Sequence, residues 1–205
     1  MKTRIIITFL IMTLTPLIWI SCDQNQSGES KSTSANTATD NGGFKDQVEY
    51  GKHLVTIIGC NDCHTPKKMT AMGPVPDTAL LLSGHPSTIP FPNINRKDIE
   101  AKGLAITSDL TEWAGPWGIS YADNLTPDAT GLGSWTKEQF FRAIREGKWK
   151  GLENSRRLLP PMPWQEFKSM TDDELSAIFA YLKSIKPVEN VVPPPTPPVL
   201  AAHHR

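Results

Sequence analysis

The chain has 205 residues, with 21 Lys+Arg set against 21 Asp+Glu, and three cysteines. That length holds one medium domain plus tails, and a formal charge of zero excludes a nucleic-acid partner recruited by overall basicity. Three cysteines make an odd set for a disulfide framework, so two working together and Cys22 working apart is the expected division.

Lys2 and Arg4 precede an apolar run from Ile5 to Ile20 that contains Pro16. The run falls short of the roughly 20 residues that cross a bilayer as a helix, and a basic flank ahead of such a run is the pattern of a secretion signal. Ile20-Ser21-Cys22 resembles the end of a bacterial lipobox, with Trp19 where Leu is usual. Residues 1–21 are therefore expected to be a lipoprotein-type signal peptide, with Cys22 the lipidated first residue of the exported protein. Ordinary cleavage or an uncleaved anchor are the alternatives. Losing Lys2 and Arg4 leaves 19 basic residues against 21 acidic, a net charge of about −2. Residues 22–43 are polar and almost free of apolar side chains, the composition of a disordered tether, with a mean reach of roughly 25 Å as a flexible coil.

The folded domain is expected over residues 44–192. Asp46 to Gly59 predicts a helix with Tyr50, Leu54, Ile57 and Ile58 on one face. Gly51 lies one face over, small enough to let another helix approach, and Gly59 ends the helix. Cys60-Asn61-Asp62-Cys63-His64 follows directly. C-x-x-C-H is the pattern of covalent c-type haem attachment: two thiols reach the two vinyl groups of a porphyrin, and the next imidazole reaches the iron. Cys60 and Cys63 are thus the expected thioether anchors of one haem c and His64 its proximal iron ligand. A thioredoxin-like dithiol would need a βαβ context, which is missing. A zinc site would need further ligands at set spacings, and the domain has no second cysteine pair. Haem c attachment takes place outside the cytoplasm in bacteria, which agrees with an export signal.

From Thr65 to about Gly133 the chain is rich in Pro and Gly and reads as long loops wrapping a haem, with one short helix over Asn95 to Lys102. Leu80, Leu81, Leu82, Ile89 and Phe91 are candidates for lining the haem edge, and Trp113, Trp117 and Tyr121 for reaching its propionates or for filling a small core. Ser134 to Gly147 predicts a second long helix, with a capping box of Thr136 and Gln139 and a face of Phe140, Ala143, Ile144 and Gly147. In Pro160-Pro161-Met162-Pro163-Trp164 the prolines keep the chain stiff around a thioether, so Met162 is the expected distal iron ligand. Met69, Met72, His53, His85 and Met170 are the competing candidates. The third long helix starts at Thr171, where Thr171 and Glu174 form another capping box, and runs with Leu175, Ile178, Phe179, Leu182 and Ile185 on its buried stripe until Pro187. Residues 193–205 form a Pro-rich tail, extended where Pro193 to Pro198 lie.

With these residues in place the chain resembles class I c-type cytochromes. It is similar in particular to the cytochrome c modules of bacterial membrane-bound alcohol, aldehyde and gluconate dehydrogenases. Asn124-Leu125-Thr126-Pro127-Asp128, Thr130-Gly131-Leu132-Gly133-Ser134-Trp135-Thr136 and Pro160-Pro161-Met162-Pro163-Trp164 carry the likeness. The resemblance implies an all-α, cytochrome c-like monohaem domain with three main helices and long haem-wrapping loops, and Gly51 against Phe179 or Tyr181 where the terminal helices cross. It also implies a one-electron carrier rather than an enzyme, working between a membrane-associated dehydrogenase or quinol-oxidising respiratory complex and a terminal acceptor. Together with the lipid anchor this gives an exported protein on the periplasmic side of a bacterial membrane. The alternative is a haem enzyme or gas sensor with an open distal iron, for which Arg156 or Arg157 would be the nearby polar group.

Overall fold

The computed structural model describes residues 40–199. The signal segment, Cys22 and its lipidation, most of the tether and residues 200–205 lie outside the described residues.

Helix α1 (Gln47–Ile57) starts where the Asp46 carboxylate accepts from the Glu49 N–H, satisfying one of the free donors of the first turn. Its inward face is Gly51, Leu54 and Val55. Val55 is fully buried while Ile57, expected inward, is 64% exposed. Gly59 takes φ +77° and breaks the chain sharply into α2 (Cys60–His64), one short helical turn. α3 (Arg96–Ala101) lies where the short helix was expected. α4 (Lys137–Glu146) opens on the Thr136–Gln139 capping box and closes on Gly147 at φ +64°. After the four-residue α5 (Trp164–Phe167), α6 (Asp172–Ser184) opens on the Thr171–Glu174 box.

The main packing event is α1 on α6. A Cβ on Gly51 would stand 1.9 Å from the Ala177 carbonyl oxygen and 2.9 Å from Tyr181 Cβ, so the crossing is set by glycine against Tyr181. Leu54, Val55, Leu82, Leu132, Phe140, Leu175, Ile178 and Leu182 complete one apolar core around it. Burying each such side chain contributes about 1.5–3 kcal/mol.

The all-α expectation is corrected by two antiparallel hairpins within residues 67–121. β1 (Lys67–Thr70) pairs with β2 (Gly73–Pro76), and β3 (Glu112–Gly115) with β4 (Gly118–Tyr121). Each turns on two residues, Ala71-Met72 and Pro116-Trp117, and each turn ends on a glycine of positive φ, Gly73 at +103° and Gly118 at +97°. Strands of only four residues, set among Pro and Gly, are too short for an alternation to stand out, so they read as loop. The architecture is mixed: the three long helices stand, and the wrapping segment is partly sheet. The first hairpin is exposed on most positions, whereas Glu112, Ala114, Gly115, Gly118, Ile119 and Ser120 of the second are buried.

The start of the Pro-rich tail is docked. Thr196 and Ile119 exchange backbone hydrogen bonds of 2.8 and 3.0 Å, and Arg96 donates to the Pro197 carbonyl. Among the described residues no helix is long and apolar enough to cross a membrane.

Candidate functional site

α2 carries the three residues of the attachment motif, and its short backbone is closed at both ends: Asp62 N–H to the Gly59 carbonyl at 3.0 Å and Thr65 N–H to the Asn61 carbonyl at 3.2 Å. Both cysteines are free thiols, half-buried, one helical turn apart. Burial pushes the Cys60 thiol up to about 11 and raises Cys63 as well. Neither shows the depressed thiol pKa of a reactive redox dithiol.

The His64 Nδ1–H donates to the Asp123 carbonyl at 2.7 Å. A carbonyl only accepts, so this bond fixes the tautomer and leaves the Nε2 lone pair for a metal, the usual arrangement of a ligating imidazole. Burial lowers the His64 pKa, which also favours the neutral ring. The Asp123 carbonyl is pinned from its C-terminal side by Asn124. The Asn124 Oδ1 accepts from the Thr126 N–H and hydroxyl, and its Nδ2 donates to Thr130 Oγ1 and the Val188 carbonyl. The sequence offered a sign of this in Asn124-Leu125-Thr126-Pro127, but not which backbone oxygen His64 would use.

Met162 is half-buried in the loop before α5. Its N–H meets the Leu159 carbonyl at 3.3 Å, and the preceding Pro160 carbonyl accepts from the Ser120 hydroxyl at 2.6 Å. Ser120 Oγ in turn accepts from Trp117 Nε1 at 3.1 Å. Trp117 is therefore a brace for the methionine loop instead of a propionate donor. Trp113 Nε1 donates to the Leu110 carbonyl at 3.2 Å, and the Tyr121 ring packs on His85 at 4.9 Å.

The competing candidates stand elsewhere in the fold. Met69 and Met72 are 76% and 94% exposed on the first hairpin. Met170 packs on the core, and the His53 ring lies tilted against Phe44 at 4.7 Å. Both ring nitrogens of the fully buried His85 are engaged, by Thr111 Oγ1 and by the Ile89 carbonyl. Arg156 and Arg157 lie over Trp149 and Trp164 and donate to the Arg157 and Glu146 carbonyls. The residues present suit haem c: two thiols one turn apart, an imidazole with its lone pair free, and a thioether on a braced loop.

Comparison with known proteins agrees with this chemistry. The Cytochrome c family profile matches residues 48–186, and the chain belongs to that family of electron-transfer proteins, which carry covalently bound haem c. It is 35% identical over 143 residues to the cytochrome c subunit of the quinone alcohol dehydrogenase of Gluconobacter oxydans (strain 621H), covering 69% of this chain and 22% of that subunit. It is 35% identical over 91 residues to the cytochrome subunit of the fructose dehydrogenase of Gluconobacter japonicus, covering 43% of this chain and 17% of that subunit. A nicotinate dehydrogenase subunit of Pseudomonas putida (strain KT2440) is 39% identical over 79 residues, 38% of this chain and 6% of its own length. The chain thus spans less than a quarter of the length of each of these relatives.

Proposed function

We propose that this protein is an exported single-haem c-type cytochrome that passes one electron at a time from a membrane-associated dehydrogenase or quinol-oxidising complex to a terminal acceptor. Cys60 and Cys63 are its thioether anchors, His64 and Met162 its axial ligands, and Cys22 its lipid attachment on the periplasmic side of a bacterial membrane. The observation that carries the reading is the His64 Nδ1–H on the Asp123 carbonyl beside two half-buried thiols. The sequence holds one C-x-x-C-H, which supports one haem. The dehydrogenase partner is supported by the names of the relatives, which are cytochrome subunits of such enzymes.

Bound haem supplies a reversible one-electron couple. The chain's own part is to hold that couple still. Asp123 orients His64, Ser120 and Trp117 brace the segment before Met162, and the stiff prolines limit how far the thioether can move. Histidine with methionine ligation raises the potential of a haem relative to many other environments.

The test is a reduced-minus-oxidised visible spectrum of the exported protein, repeated after adding carbon monoxide to the reduced sample. Sharp low-spin bands indifferent to carbon monoxide are expected. Prompt carbon monoxide binding would place an open iron here and overturn the carrier reading, and a protein without a haem spectrum would overturn the cofactor assignment itself.

A further inference from the structure

His85, Asp109, Thr111 and Glu112 form a largely buried polar cluster next to the Gly84 N–H that donates to the His64 carbonyl. The His85 side chain is fully buried and the Glu112 side chain 1% exposed, with 3.3 Å between His85 Nδ1 and Glu112 Oε2. The protonation of His85 follows from counting hydrogens. Its Nε2 lies 2.9 Å from the Ile89 carbonyl, which only accepts, so Nε2 carries a hydrogen. Its Nδ1 lies 2.8 Å from Thr111 Oγ1, and that hydroxyl has two carboxylate acceptors for its single hydrogen, Asp109 Oδ1 at 2.6 Å and Glu112 Oε2 at 3.3 Å. With that hydrogen on either carboxylate, the hydroxyl shows Nδ1 a lone pair and Nδ1 carries a hydrogen as well, which the nearby Glu112 carboxylate favours. His85 is an imidazolium with Glu112 as its counter-charge.

The backbone of this cluster leads to His64. His85 N–H donates to the Ala122 carbonyl at 2.9 Å, and Ala122 N–H donates to the Thr111 carbonyl at 2.8 Å. The next carbonyl along, that of Asp123, is the one that receives His64 Nδ1–H. One residue before His85, Gly84 N–H donates to the His64 carbonyl at 2.8 Å. Gly84 lies so close to the Asp123 peptide that a Cβ there would sit 2.6 Å from its carbonyl carbon. Asn190 Nδ2 holds the Ser83 and His85 carbonyls from the other side. His64 is gripped at its ring and at its backbone by the two segments that His85 joins.

We propose that His85 is a positioning residue for His64: as a buried imidazolium paired with Glu112, it locks residues 83–85 against residues 122–123 and thereby fixes the carbonyl that orients the His64 ring. The proposal rests on His64 being the iron ligand. A buried charge pair suits such a lock because displacing either partner leaves the other charge uncompensated in a dry site. Hydrogen bonds behind a ligating imidazole set both its orientation and its basicity.

The experiment compares the full exported protein with its His85→Gln, Glu112→Gln and Glu112→Asp forms. Two properties are read: hydrogen exchange of the Gly84 amide relative to amides of α1 and α6, and the spread of porphyrin methyl shifts in the ferric proton NMR spectrum, which reports the plane of the axial imidazole. In His85→Gln and Glu112→Gln the Gly84 amide is expected to exchange about tenfold faster relative to the helices and the methyl pattern to change. Glu112→Asp, which keeps the charge, should restore both toward the original. If His85→Gln does not fold, Glu112→Gln carries the test. Variants that lose thermal stability but keep the relative Gly84 exchange and the methyl pattern would overturn the positioning role while leaving the carrier reading intact. An unsubstituted protein without low-spin haem would overturn both.

Discussion

The Ser120 hydroxyl donates to the Pro160 carbonyl at 2.6 Å, and three residues further on the Asp123 carbonyl receives the His64 ring. The loop before Met162 and the attachment helix are thus both tied to β4 and its extension. Ser120→Ala would leave the Trp117 N–H and the Pro160 carbonyl without their partner, a cost of about 1–3 kcal/mol. It is expected to lower the guanidinium midpoint and to let carbon monoxide bind the reduced protein several-fold faster, with covalent haem retained. Unchanged binding rates in a stopped-flow experiment would show that Ser120 does not restrain the methionine loop.

Met162→Ala should bind carbon monoxide promptly on reduction and lose its low-spin spectrum. Met69→Ala and Met72→Ala, altered on an exposed hairpin, should behave as the original protein does. Titrating each with carbon monoxide separates the three methionines, and an unaffected Met162→Ala would remove it from the iron.

Gly51→Ala puts a methyl group 1.9 Å from the Ala177 carbonyl oxygen, a backbone atom that cannot swing aside. The terminal helices must separate, at a cost of about 3 kcal/mol or somewhat more. Chemical denaturation measures it directly, and a loss below about 1 kcal/mol would mean that the crossing is looser than this geometry.

The His85–Glu112 pair predicts a stability maximum in mildly acidic solution. Burial disfavours the Glu112 carboxylate, but hydrogen bonds from His85, Asp109 and Ser108 hold its pKa down at about 2 against an ordinary 4.5. Its contribution is therefore complete above about 4.5 and is lost as the pH falls toward 2. Burial likewise opposes the His85 charge, and the hydrogen bonds to Glu112 and the Ile89 carbonyl outweigh it, raising the pKa above the ordinary 6.5. That contribution is complete below about 6.5 and is lost as the pH climbs through the raised value. Asp109, raised by burial and by Glu112, works the other way and blunts the acid side. Tyr121 packs on the His85 ring, and its own pKa is raised by burial, so it stays neutral across this range. Denaturant midpoints over a pH series should peak between about 4.5 and 6.5. Glu112→Gln should cost about 3–5 kcal/mol and flatten both sides; a variant that keeps the full dome would assign the pH dependence to other groups.

The features legible in the sequence were those decided within about four residues. The two capping boxes, Thr136 with Gln139 and Thr171 with Glu174, stand as read because each is closed by neighbours on one turn. The attachment motif is likewise local, since Cys60, Cys63 and His64 share one helical turn whatever surrounds them. Gly51 as the point of helix approach was visible from its size, and of its two expected partners, Phe179 and Tyr181, the packing puts Tyr181 against it.

Tertiary structure decided what depends on partners far along the chain. Whether Val55 or Ile57 faced inward was set by where α6 lies, as a helix with apolar residues on adjoining faces has no single inward side until something packs on it. The strands of residues 67–121 form because two-residue turns bring otherwise unremarkable tetrapeptides into register, and in the second hairpin the tail adds Thr196 beside Ile119. The carbonyl that holds His64 lies 59 residues away from it. The carboxylate that faces His85, Glu112, lies 27 residues on. Sequence names the groups that can bond to iron; only the folded backbone brings up the oxygens that hold them still.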